Sequence, residues 1–238
     1  MRGQDSLDLL PFFGYNASMS AGFSTLRAVL FDLDGTLVET HIDFPAMTQA
    51  MQRLAREASV PESVTDSKDI LSLVDAAVDY VSQRGGDGPA LRQRAFAELE
   101  DLEVQGCSRP ELLPGTRELL LALIGRGVKV GIVTRNCRKV SVGLLARFGL
   151  PHHLLLTRDD VPKTKPNPEH LWAALHLLGE PPEQSAMVGD HWMDVQAGVN
   201  AGCAATLGVL GQHEREWFAP CPPTATVRDL SESLPLFE

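Results

Sequence analysis

The chain has 238 residues, of which 44% are hydrophobic and 22% are charged, and its net charge of −10 reflects 21 Lys and Arg residues against 31 Asp and Glu residues. This composition is typical of a globular protein with one substantial α/β core and a smaller accessory module, and it excludes disordered and collagen-like classes. The negative charge repels polyphosphate backbones, so nucleic acid is not an expected partner. An anionic substrate would require a local cluster of cations, metal and N–H groups.

The N-terminal segment carries no recognisable targeting signal. No run of 18 apolar residues occurs, and Arg2 is the only basic residue before two aspartates, unlike a signal peptide. Four cysteines without C-x-x-C spacing indicate reduced thiols. We therefore expect a cytoplasmic protein without a membrane partner, preceded by a loose Gly- and Ser-containing leader at residues 1–24.

The first predicted element is a strand at residues 28–31, with the sequence Ala-Val-Leu-Phe. A short, unbroken apolar run is typical of a strand that is covered on both faces of a parallel sheet. The run ends at Asp32-Leu33-Asp34-Gly35, so two carboxylates directly follow the strand. Asp-x-Asp alone is a common surface turn, and its position after a buried strand is what favours a functional interpretation.

The next stretch, residues 42–110, shows helical patterns and no strand pattern. Apolar residues recur at helical spacing over residues 44–55, 70–81 and 91–102. Three helices of this length form a small bundle, and the stretch begins straight after the carboxylate turn. We therefore predict a helical cap domain at residues 42–110 that covers the turn and hinges near residues 38–42 and 110–114.

Strand and helix patterns then alternate from residue 114 to residue 208. Apolar runs at residues 128–133 and 186–188 end at Thr134 and at Gly189-Asp190. Helical periodicity follows residues 116, 137, 168 and 193, with Asn167 then Pro168 as a helix start and Gly127, Gly149 and Gly179 at helix ends. The alternation predicts an α/β fold, a Rossmann-like parallel sheet with helices on both faces, formed by residues 25–41 and 111–238.

Polar side chains stand where each predicted strand ends. Asp32 and Asp34 follow the first strand, Thr134 the second and Asp190 the third, and Lys165 lies in the loop region between the last two. In open α/β sheets, ligands bind at the carboxyl ends of the strands, at the point where the strand order reverses. These five residues are therefore expected to converge on one edge of the sheet.

Three converging carboxylates repel each other unless a proton or a cation lies among them. Oxygen ligands without a nearby Cys or a well-placed His favour Mg²⁺ over zinc or copper. With the ion bound, Asp32 can attack phosphorus in line, while Asp34 protonates the leaving oxygen and later deprotonates the hydrolytic water. The predicted function is a magnesium-dependent phosphatase that acts on a small phosphorylated metabolite through an aspartyl-phosphate.

Two further residue types suit the phosphoryl oxygens of such a substrate. Thr134 offers a hydroxyl donor and Lys165 a positive charge. Each residue alone has an ordinary alternative, since a strand-end Thr usually bonds to backbone and a loop Lys is usually solvated. Arg135 follows Thr134 and is a third candidate for phosphate contact, with a loop cap as the equal alternative.

The carboxylates after residue 189 also have structural alternatives. Asp190 can cap the helix that follows it, and Asp194 falls in the first turn of that helix, where the helix dipole favours negative charge. Both roles are compatible with metal binding. His191 and Trp192, between the two aspartates, are expected to shape the rim rather than to act.

At this point the motifs resemble a known family. Its four ordered signatures match Asp32-Leu33-Asp34-Gly35-Thr36-Leu37, then Thr134 after an apolar strand, then Lys165-Pro166-Asn167-Pro168-Glu169, then Gly189-Asp190 with Asp194 four residues further on. Over residues 27–210 the chain resembles the haloacid dehalogenase-like hydrolase superfamily. A helical cap between the first and second signatures is similar to that of phosphoglycolate phosphatases and their relatives.

The resemblance implies a role for each matched residue. It implies that Asp32 is the nucleophile, that Asp34 is the acid and base, and that Thr134 and Lys165 bind the phosphate. It also implies that Mg²⁺ is held by Asp32, the main-chain carbonyl of Asp34 and Asp190, with help from Asp194. Lys165 rather than nearby Lys163 is chosen because the Lys-Pro-x-Pro-Glu pattern follows it.

Three alternative functions remain open at the level of sequence. A phosphosugar mutase of the same superfamily would use the same residues but return the phosphoryl group to the sugar. A dehalogenase is disfavoured by Asp34, because relatives of that type lack this carboxylate. A catalytically silent binding or regulatory protein is disfavoured by the intact charged positions.

Overall fold

Eight strands form two sheets in the part of the chain that the computed structural model describes, which comprises Phe23 and residues 25–237. The strands are Ala28–Phe31 (β1), Val38–Glu39 (β2), Glu111–Leu112 (β3), Lys129–Val133 (β4), Leu154–Leu156 (β5), Ser185–Gly189 (β6), Ala205–Val209 (β7) and Ala225–Val227 (β8). Six of them form a parallel sheet in the order β5-β4-β1-β6-β7-β8. The other two, β2 and β3, pair antiparallel.

Seven α-helices lie within the same described range. They are Phe44–Glu57 (α1), Ile70–Gln83 (α2), Gly88–Gly106 (α3), Thr116–Gly125 (α4), Arg138–Phe148 (α5), Glu169–Leu178 (α6) and Trp192–Ala201 (α7). Helices α4 and α5 pack on one face of the parallel sheet, and α6 and α7 pack on the other. The prediction of a Rossmann-like α/β fold with helices on both faces is confirmed.

Burial on both faces explains why β1 is an unbroken apolar run. Val29 and Phe31 belong to the apolar cluster beneath α4 and α5, while Ala28 and Leu30 belong to the cluster beneath α6 and α7. All four residues are fully buried. A strand in this position has no solvent face, so the alternation of polar and apolar residues disappears.

The strand order places β1 at the switch point of the sheet. The chain leaves β1 for β4 on one side and later returns to β6 on the other side. Phe31 is level with Ile132 of β4 and with Val188 of β6. The residues just beyond these three therefore meet at the carboxyl edge, where ligands bind in folds of this type.

Helices α1, α2 and α3 form a helical insertion between β2 and β3 with an apolar cluster of its own. The cluster includes Met51, Leu73 and Leu99, one residue from each helix. Each helix starts at an aspartate, Asp43, Asp69 or Asp87, whose carboxylate accepts a hydrogen bond from the main-chain N–H three residues on. Such N-caps satisfy donors that the first turn would leave unpaired.

The chain enters and leaves the insertion through the short β2–β3 pair. Val38 is paired with Leu112, and Glu39 is paired with Glu111. The predicted hinge regions, 38–42 and 110–114, therefore lie side by side. The division into a core domain and a cap domain, and the hinge between them, stay predictions.

Several elements differ from the sequence-based expectation. Strands β5, β7 and β8 and the β2–β3 pair have no counterpart among the predicted strands. Helix α6 begins at Glu169, one residue later than the Asn167-Pro168 pattern suggests, although the Asn167 side chain does accept a hydrogen bond of 2.9 Å from the Glu169 N–H. Helix α4 has Arg126 as its C-cap, so Gly127 follows the C-cap rather than forming it.

The predicted leader, residues 1–24, lies outside the described residues except for Phe23. Phe23 is buried and meets Phe237 edge to face, with ring centroids 5.3 Å apart. The packed core thus includes a residue two positions before the predicted start at residue 25. Within the range that the structure covers, no helix combines the length and hydropathy needed to cross a membrane.

Candidate active site

The turn after β1 brings Asp32 to the middle of the carboxyl edge. The Asp32 N–H donates a hydrogen bond of 2.9 Å to the carbonyl of Val188, which continues the β1–β6 pairing by one residue. Gly35 then reverses the chain at φ +81°, and its N–H donates to the carbonyl of Val38 at 2.8 Å. This left-handed conformation favours glycine.

Replacement of Gly35 by alanine is expected to destabilise the protein in two ways. The residue would be forced into the left-handed region, at a cost of about 1–2 kcal/mol. Its Cβ would also lie 2.3 Å from Oδ2 of Asp190, so that this carboxylate has to move. Gly85→Ala is a matched control, because Gly85 has φ +79° and a methyl group added there would meet no atom within 4 Å.

Urea denaturation of the two alanine variants separates these effects. We expect Gly35→Ala to lose at least about 1 kcal/mol more free energy of unfolding than Gly85→Ala, because only the first variant displaces a side chain. Equal losses in the two variants would show that the turn tolerates the methyl group and that Asp190 is not held in place by Gly35.

Asp32 is one of three carboxylates that lie close together. Oxygen atoms of Asp32, Asp190 and Asp194 all lie within 4.8 Å of one another. The Lys165 ammonium lies between two of them, 2.8 Å from Oδ1 of Asp32 and 2.7 Å from Oδ1 of Asp194. The Thr36 hydroxyl donates a hydrogen bond of 3.0 Å to Oδ1 of Asp190. The site therefore opposes three carboxylates with one ammonium group.

The excess of negative charge is reflected in the pKa values of these groups. Burial, reinforced by the charge of Asp194, raises the pKa of Asp32 despite the opposing charge of Lys165. Burial, with the charges of Asp32 and Asp194, raises the pKa of Asp190 well above its usual range. For Lys165, burial lowers the pKa, but the two neighbouring carboxylates together outweigh burial and raise it. The pocket accordingly favours an added proton or cation.

Asp34 lies on the same turn, outside the set of three carboxylates. Burial raises its pKa to about 7, with the charges of Asp32 and Glu39 adding to the shift and the nearby Thr40 opposing it. A carboxyl group with this pKa gains and loses a proton readily at neutral pH, as a general acid and base must.

Thr134 begins a loop after β4, residues 134–137, that we call the β4 loop. The Thr134 N–H donates a hydrogen bond of 3.0 Å to the carbonyl of Leu156, which extends the β4–β5 pairing. Its hydroxyl oxygen accepts a hydrogen bond of 3.2 Å from the Asn136 N–H. Because the oxygen is engaged as an acceptor, the hydroxyl proton is left for a ligand.

Arg135 points toward the helical insertion. Its guanidinium forms an ion pair with Asp69, the N-cap of α2, and donates to Sδ of Met193 at 2.9 Å. Burial opposes ionisation of Asp69, but Arg135 and Ser72 together lower the pKa of the Asp69 carboxyl. The guanidinium is therefore committed to an insertion carboxylate, and its predicted contact with phosphate stays a prediction.

Of the two structural roles anticipated for the carboxylates after β6, the role of Asp194 in the first helical turn is confirmed and the capping role of Asp190 is wrong. His191, not Asp190, is the N-cap of α7. Asp194 accepts a hydrogen bond of 3.1 Å from the His191 N–H, and His191 accepts one of 3.3 Å from the Met193 N–H, which completes a capping box. Asp194 thus stabilises the helix start and holds Lys165 at the same time.

Three residues near the site were given no role by sequence reasoning. Thr36 binds Asp190, Asp69 binds Arg135, and the indole Nε1 of Trp217 donates a hydrogen bond of 2.8 Å to the main-chain carbonyl of Asp190. Thr36 lies inside the first signature and could have been found there. Asp69 and Trp217 have no local signal, because their contacts join distant parts of the chain.

Comparison with known proteins agrees with this geometry. Residues 26–202 match the model of the haloacid dehalogenase-like hydrolase family. The chain is 34% identical over 183 residues to the N-acetylmuramic acid 6-phosphate phosphatase of Pseudomonas aeruginosa, covering 74% of this chain and 79% of that protein. It is 31% identical over 185 residues to the phosphoglycolate phosphatase of Chromobacterium violaceum, covering 76% and 83%.

The fold is shared with a solved structure at lower identity. A crystal structure of a predicted phosphoglycolate phosphatase from Haemophilus somnus superposes with a TM-score of 0.62 at 24% identity, covering 90% of this chain and 99% of that one. The ordered signatures, the parallel sheet and the family match lead to one conclusion: the chain belongs to the haloacid dehalogenase-like hydrolase family.

Proposed function

We propose that this hydrolase cleaves small phosphomonoesters through an aspartyl-phosphate on Asp32. The observation that carries the proposal is the placement of Asp32 at the switch point, against the buried ammonium of Lys165, with Asp34 two residues away. A carboxylate nucleophile needs a neighbouring cation to admit an anionic substrate, and it needs an acid for the leaving group. Both groups are present.

The carboxylate cluster fits a hard divalent cation, and we propose Mg²⁺. Asp32, Asp190 and Asp194 offer only oxygen ligands, and the raised pKa values of Asp32 and Asp190 mark a charge excess that a cation relieves. The main-chain carbonyl of Asp34 is a further proposed ligand. When bound, the ion screens the nucleophile from the phosphate and stabilises charge on the phosphoryl oxygens.

The proposed reaction has two steps that conserve atoms and charge. A carboxylate oxygen of Asp32 forms a bond to phosphorus as the ester P–O bond breaks, and protonated Asp34 delivers its proton to the departing alcohol oxygen. Water then attacks the phosphorus of the aspartyl-phosphate, and Asp34 takes a proton from that water. The Asp32–phosphorus bond breaks, and orthophosphate is released with both carboxyl groups restored.

Phosphate recognition is assigned to groups that flank Asp32. Lys165 supplies a charge that is already 2.8 Å from the nucleophile, and Thr134 supplies its free hydroxyl proton. Arg135 is proposed to contribute only if a substrate group draws it away from Asp69. The helical insertion is proposed to act as a cap over the site, because its Asp69 pairs with Arg135, which directly follows Thr134.

The similar proteins support the substrate class rather than one substrate. One is named for N-acetylmuramic acid 6-phosphate and another for phosphoglycolate. These compounds share a phosphomonoester and differ in the alcohol portion, which the sheet edge does not contact in this proposal. The residues that select the alcohol belong to the insertion.

A panel of metabolite esters with Mg²⁺ tests the proposal. The panel includes phosphoglycolate, N-acetylmuramic acid 6-phosphate and several sugar phosphates, and orthophosphate release is measured with and without the metal. We expect metal-dependent release from at least one ester without an added bisphosphate. Conversion of a sugar phosphate to its isomer, with a requirement for a bisphosphate activator, would instead indicate a mutase.

Replacement of Asp190 by asparagine is expected to stabilise the metal-free protein. A carboxyl pKa raised by folding means that the unfolded chain releases its proton first, so wild-type stability falls as the pH rises above about 4. Asp190→Asn has no carboxyl group at this position and therefore does not lose stability in this way. Its advantage in melting temperature should therefore grow between pH 4 and pH 7 and reach at least about 2 °C, which corresponds to about 1 kcal/mol.

Magnesium should reverse the order of stability. Wild-type protein should gain about 2–3 kcal/mol at 100 times the dissociation constant, and Asp190→Asn should gain much less. Thermal melts in the presence of a chelator and in excess Mg²⁺ measure both effects. A variant that is less stable than wild type without metal, or equally stabilised by it, would contradict the assignment of Asp190 as a ligand.

A further inference from the structure

A buried ion pair joins the last turn of α3 to the loop that follows β5. The Glu103 carboxylate binds the Arg158 guanidinium, and both side chains are 2% exposed. The ring centroid of Phe96, which lies earlier on α3, is 5.3 Å from the guanidinium carbon of Arg158. Glu103 is thus a residue of the helical insertion whose buried charged group binds residues of the sheet-bearing part of the chain.

The same pair holds the main chain of the β4 loop. Oε2 of Glu103 accepts a hydrogen bond of 3.0 Å from the Cys137 N–H. Nη1 of Arg158 donates to the carbonyl of Arg135 at 3.2 Å, and the Arg158 N–H donates to the carbonyl of Asn136 at 3.4 Å. Three consecutive residues of the loop are therefore bound through their main chain by Glu103 and Arg158, two by the ion-paired side chains and one by the Arg158 main chain.

The position of the Thr134 hydroxyl depends on this segment. Its oxygen accepts from the Asn136 N–H at 3.2 Å, so a shift of the loop main chain reorients the hydroxyl proton. Contacts to a phosphoryl group lose much of their effect when the donor is displaced by about 1 Å. Glu103 therefore reaches the phosphate site through the loop backbone without touching a substrate.

Stability alone does not account for a pair that is buried so fully. Apolar residues of similar volume are often as stabilising as a buried ion pair, or more so. The peptide groups at residues 135–137, however, need polar partners once they are buried. The arrangement of Glu103 and Arg158 satisfies these peptide groups and fixes their directions.

We propose that Glu103 is a positioning residue for catalysis: through Arg158 and the Cys137 N–H it sets the β4 loop, and thereby the Thr134 hydroxyl, for phosphate binding. This inference rests on the proposed phosphatase function. It also links the two parts of the chain, because the residue that positions a sheet-edge donor belongs to the insertion.

The first test is the kinetics of Glu103→Gln. The amide of glutamine keeps the size of the side chain. It has one acceptor oxygen and one NH₂ group, whereas the carboxylate uses two oxygens, one to accept from Arg158 and one to accept from the Cys137 N–H. We expect kcat to fall about 10- to 100-fold, part of the loss seen when a phosphate or oxyanion donor is removed. The fall should be the same for alkyl and aryl esters, because the loop faces the phosphoryl group and not the alcohol.

Glu100→Gln is the matched control. Glu100 also lies on α3 and binds across the same interface, to Lys139 of α5 at 2.8 Å, but the pair is exposed and does not touch the β4 loop. Its kinetic constants should stay within about twofold of wild type, since exposed pairs contribute little. A similar loss in both variants would mean that any weakening of the interface lowers activity, and it would overturn the proposal.

A second pair of variants tests the route through Thr134. If Glu103 acts by placing that hydroxyl, Glu103→Gln should have less than about a threefold effect on kcat in a Thr134→Ala background. Full additivity of the two substitutions would overturn the proposed route.

The double variant Glu103→Met with Arg158→Met separates folding from positioning. It removes both charges together, a change that preserves folding in comparable cases, and the variant should still lose activity.

Binding of inorganic phosphate gives a readout that is independent of turnover. Titration calorimetry with orthophosphate and Mg²⁺ should show affinity at least about fivefold weaker in Glu103→Gln than in wild type. If wild type hydrolyses no ester, the proposed function fails, while this comparison still tests loop positioning. Unchanged phosphate affinity and unchanged kcat in a destabilised Glu103→Gln protein would show that the pair is structural only.

Discussion

Asp32→Asn should lower kcat for every phosphomonoester by at least about 10³-fold and leave the protein folded. The amide cannot form the acyl-phosphate bond, so the covalent route is closed rather than slowed. The remaining groups of the site still bind phosphate, and a small residual rate from binding and charge stabilisation is expected. Orthophosphate release under saturating substrate measures the change.

The same substitution should not destabilise the metal-free protein. Burial raises the pKa of Asp32, which means that ionisation of this carboxyl costs more in the folded protein than in the unfolded chain, and a neutral amide removes that cost. The loss of one of the two carboxylates that bind Lys165 offsets the gain only in part, because Asp194 keeps its contact of 2.7 Å. We expect a melting temperature within about 2 °C of wild type.

Chemical trapping of the aspartyl-phosphate distinguishes loss of the nucleophile from loss of a metal ligand. Acid-quenched wild-type enzyme at steady state should carry a phosphoryl group on the peptide that contains residue 32, and Asp32→Asn should carry none. Asp75→Asn is the matched control, because it makes the same Asp-to-Asn change in an aspartate that pairs with Arg92 on the exposed surface of the insertion. Retained turnover in Asp32→Asn, with no phosphoryl adduct in wild type, would falsify the covalent mechanism.

The strand-end residues could be predicted because local sequence determines them. Asp32 and Asp190 each follow an apolar run that is buried on both faces, and parallel strands bring their carboxyl ends to one edge. The order of the motifs then indicated the resemblance to the haloacid dehalogenase-like hydrolases. Placement of Lys165 needed the motif as well, since a loop lysine has no periodicity from which its direction can be read.

The missed strands have weaker local signals for physical reasons. Strand β5 has three residues and lies at the edge of the described sheet, where it pairs with β4, and two of its leucines are partly exposed. Strand β8 is equally short and lies at the opposite edge. A strand of three residues is too short for either a long apolar run or a clear alternation to develop.

Contacts between the insertion and the sheet could not be predicted at all. Asp69 and Arg135 are 66 residues apart, and Glu103 and Arg158 are 55 apart. In the sequence, each of these residues looks like an ordinary charged residue at a helix start or on the surface. Their pairing depends on how the insertion is oriented over the sheet, which is a property of the whole fold rather than of a motif.

Asp34→Asn should separate the two chemical steps that are assigned to this residue. With p-nitrophenyl phosphate the leaving group departs without a proton, so phosphorylation of Asp32 should proceed at a rate near that of wild type. Hydrolysis of the aspartyl-phosphate still needs a base and should slow by about 10²- to 10⁴-fold. Stopped-flow absorbance should therefore show a burst of one nitrophenolate per active site, followed by slow turnover.

An alkyl ester should behave differently in the same variant. Its alcohol is a poor leaving group, so the first step also needs the acid, and no burst of alcohol release should precede the slow phase. Glu39→Gln is the matched control, because Glu39 contributes to the raised pKa of Asp34 through its charge alone. That control should turn over both esters with constants within a few-fold of wild type.

The two substrates together determine whether Asp34 is acid, base or both. A burst with the aryl ester and strong loss with the alkyl ester is the result expected for both roles. Equal, small losses with the two esters would mean that another group moves the protons, and the raised pKa of Asp34 would then reflect burial alone. Loss of the aryl burst would instead show that Asp34 is needed to position Asp32, because no proton is required in that step.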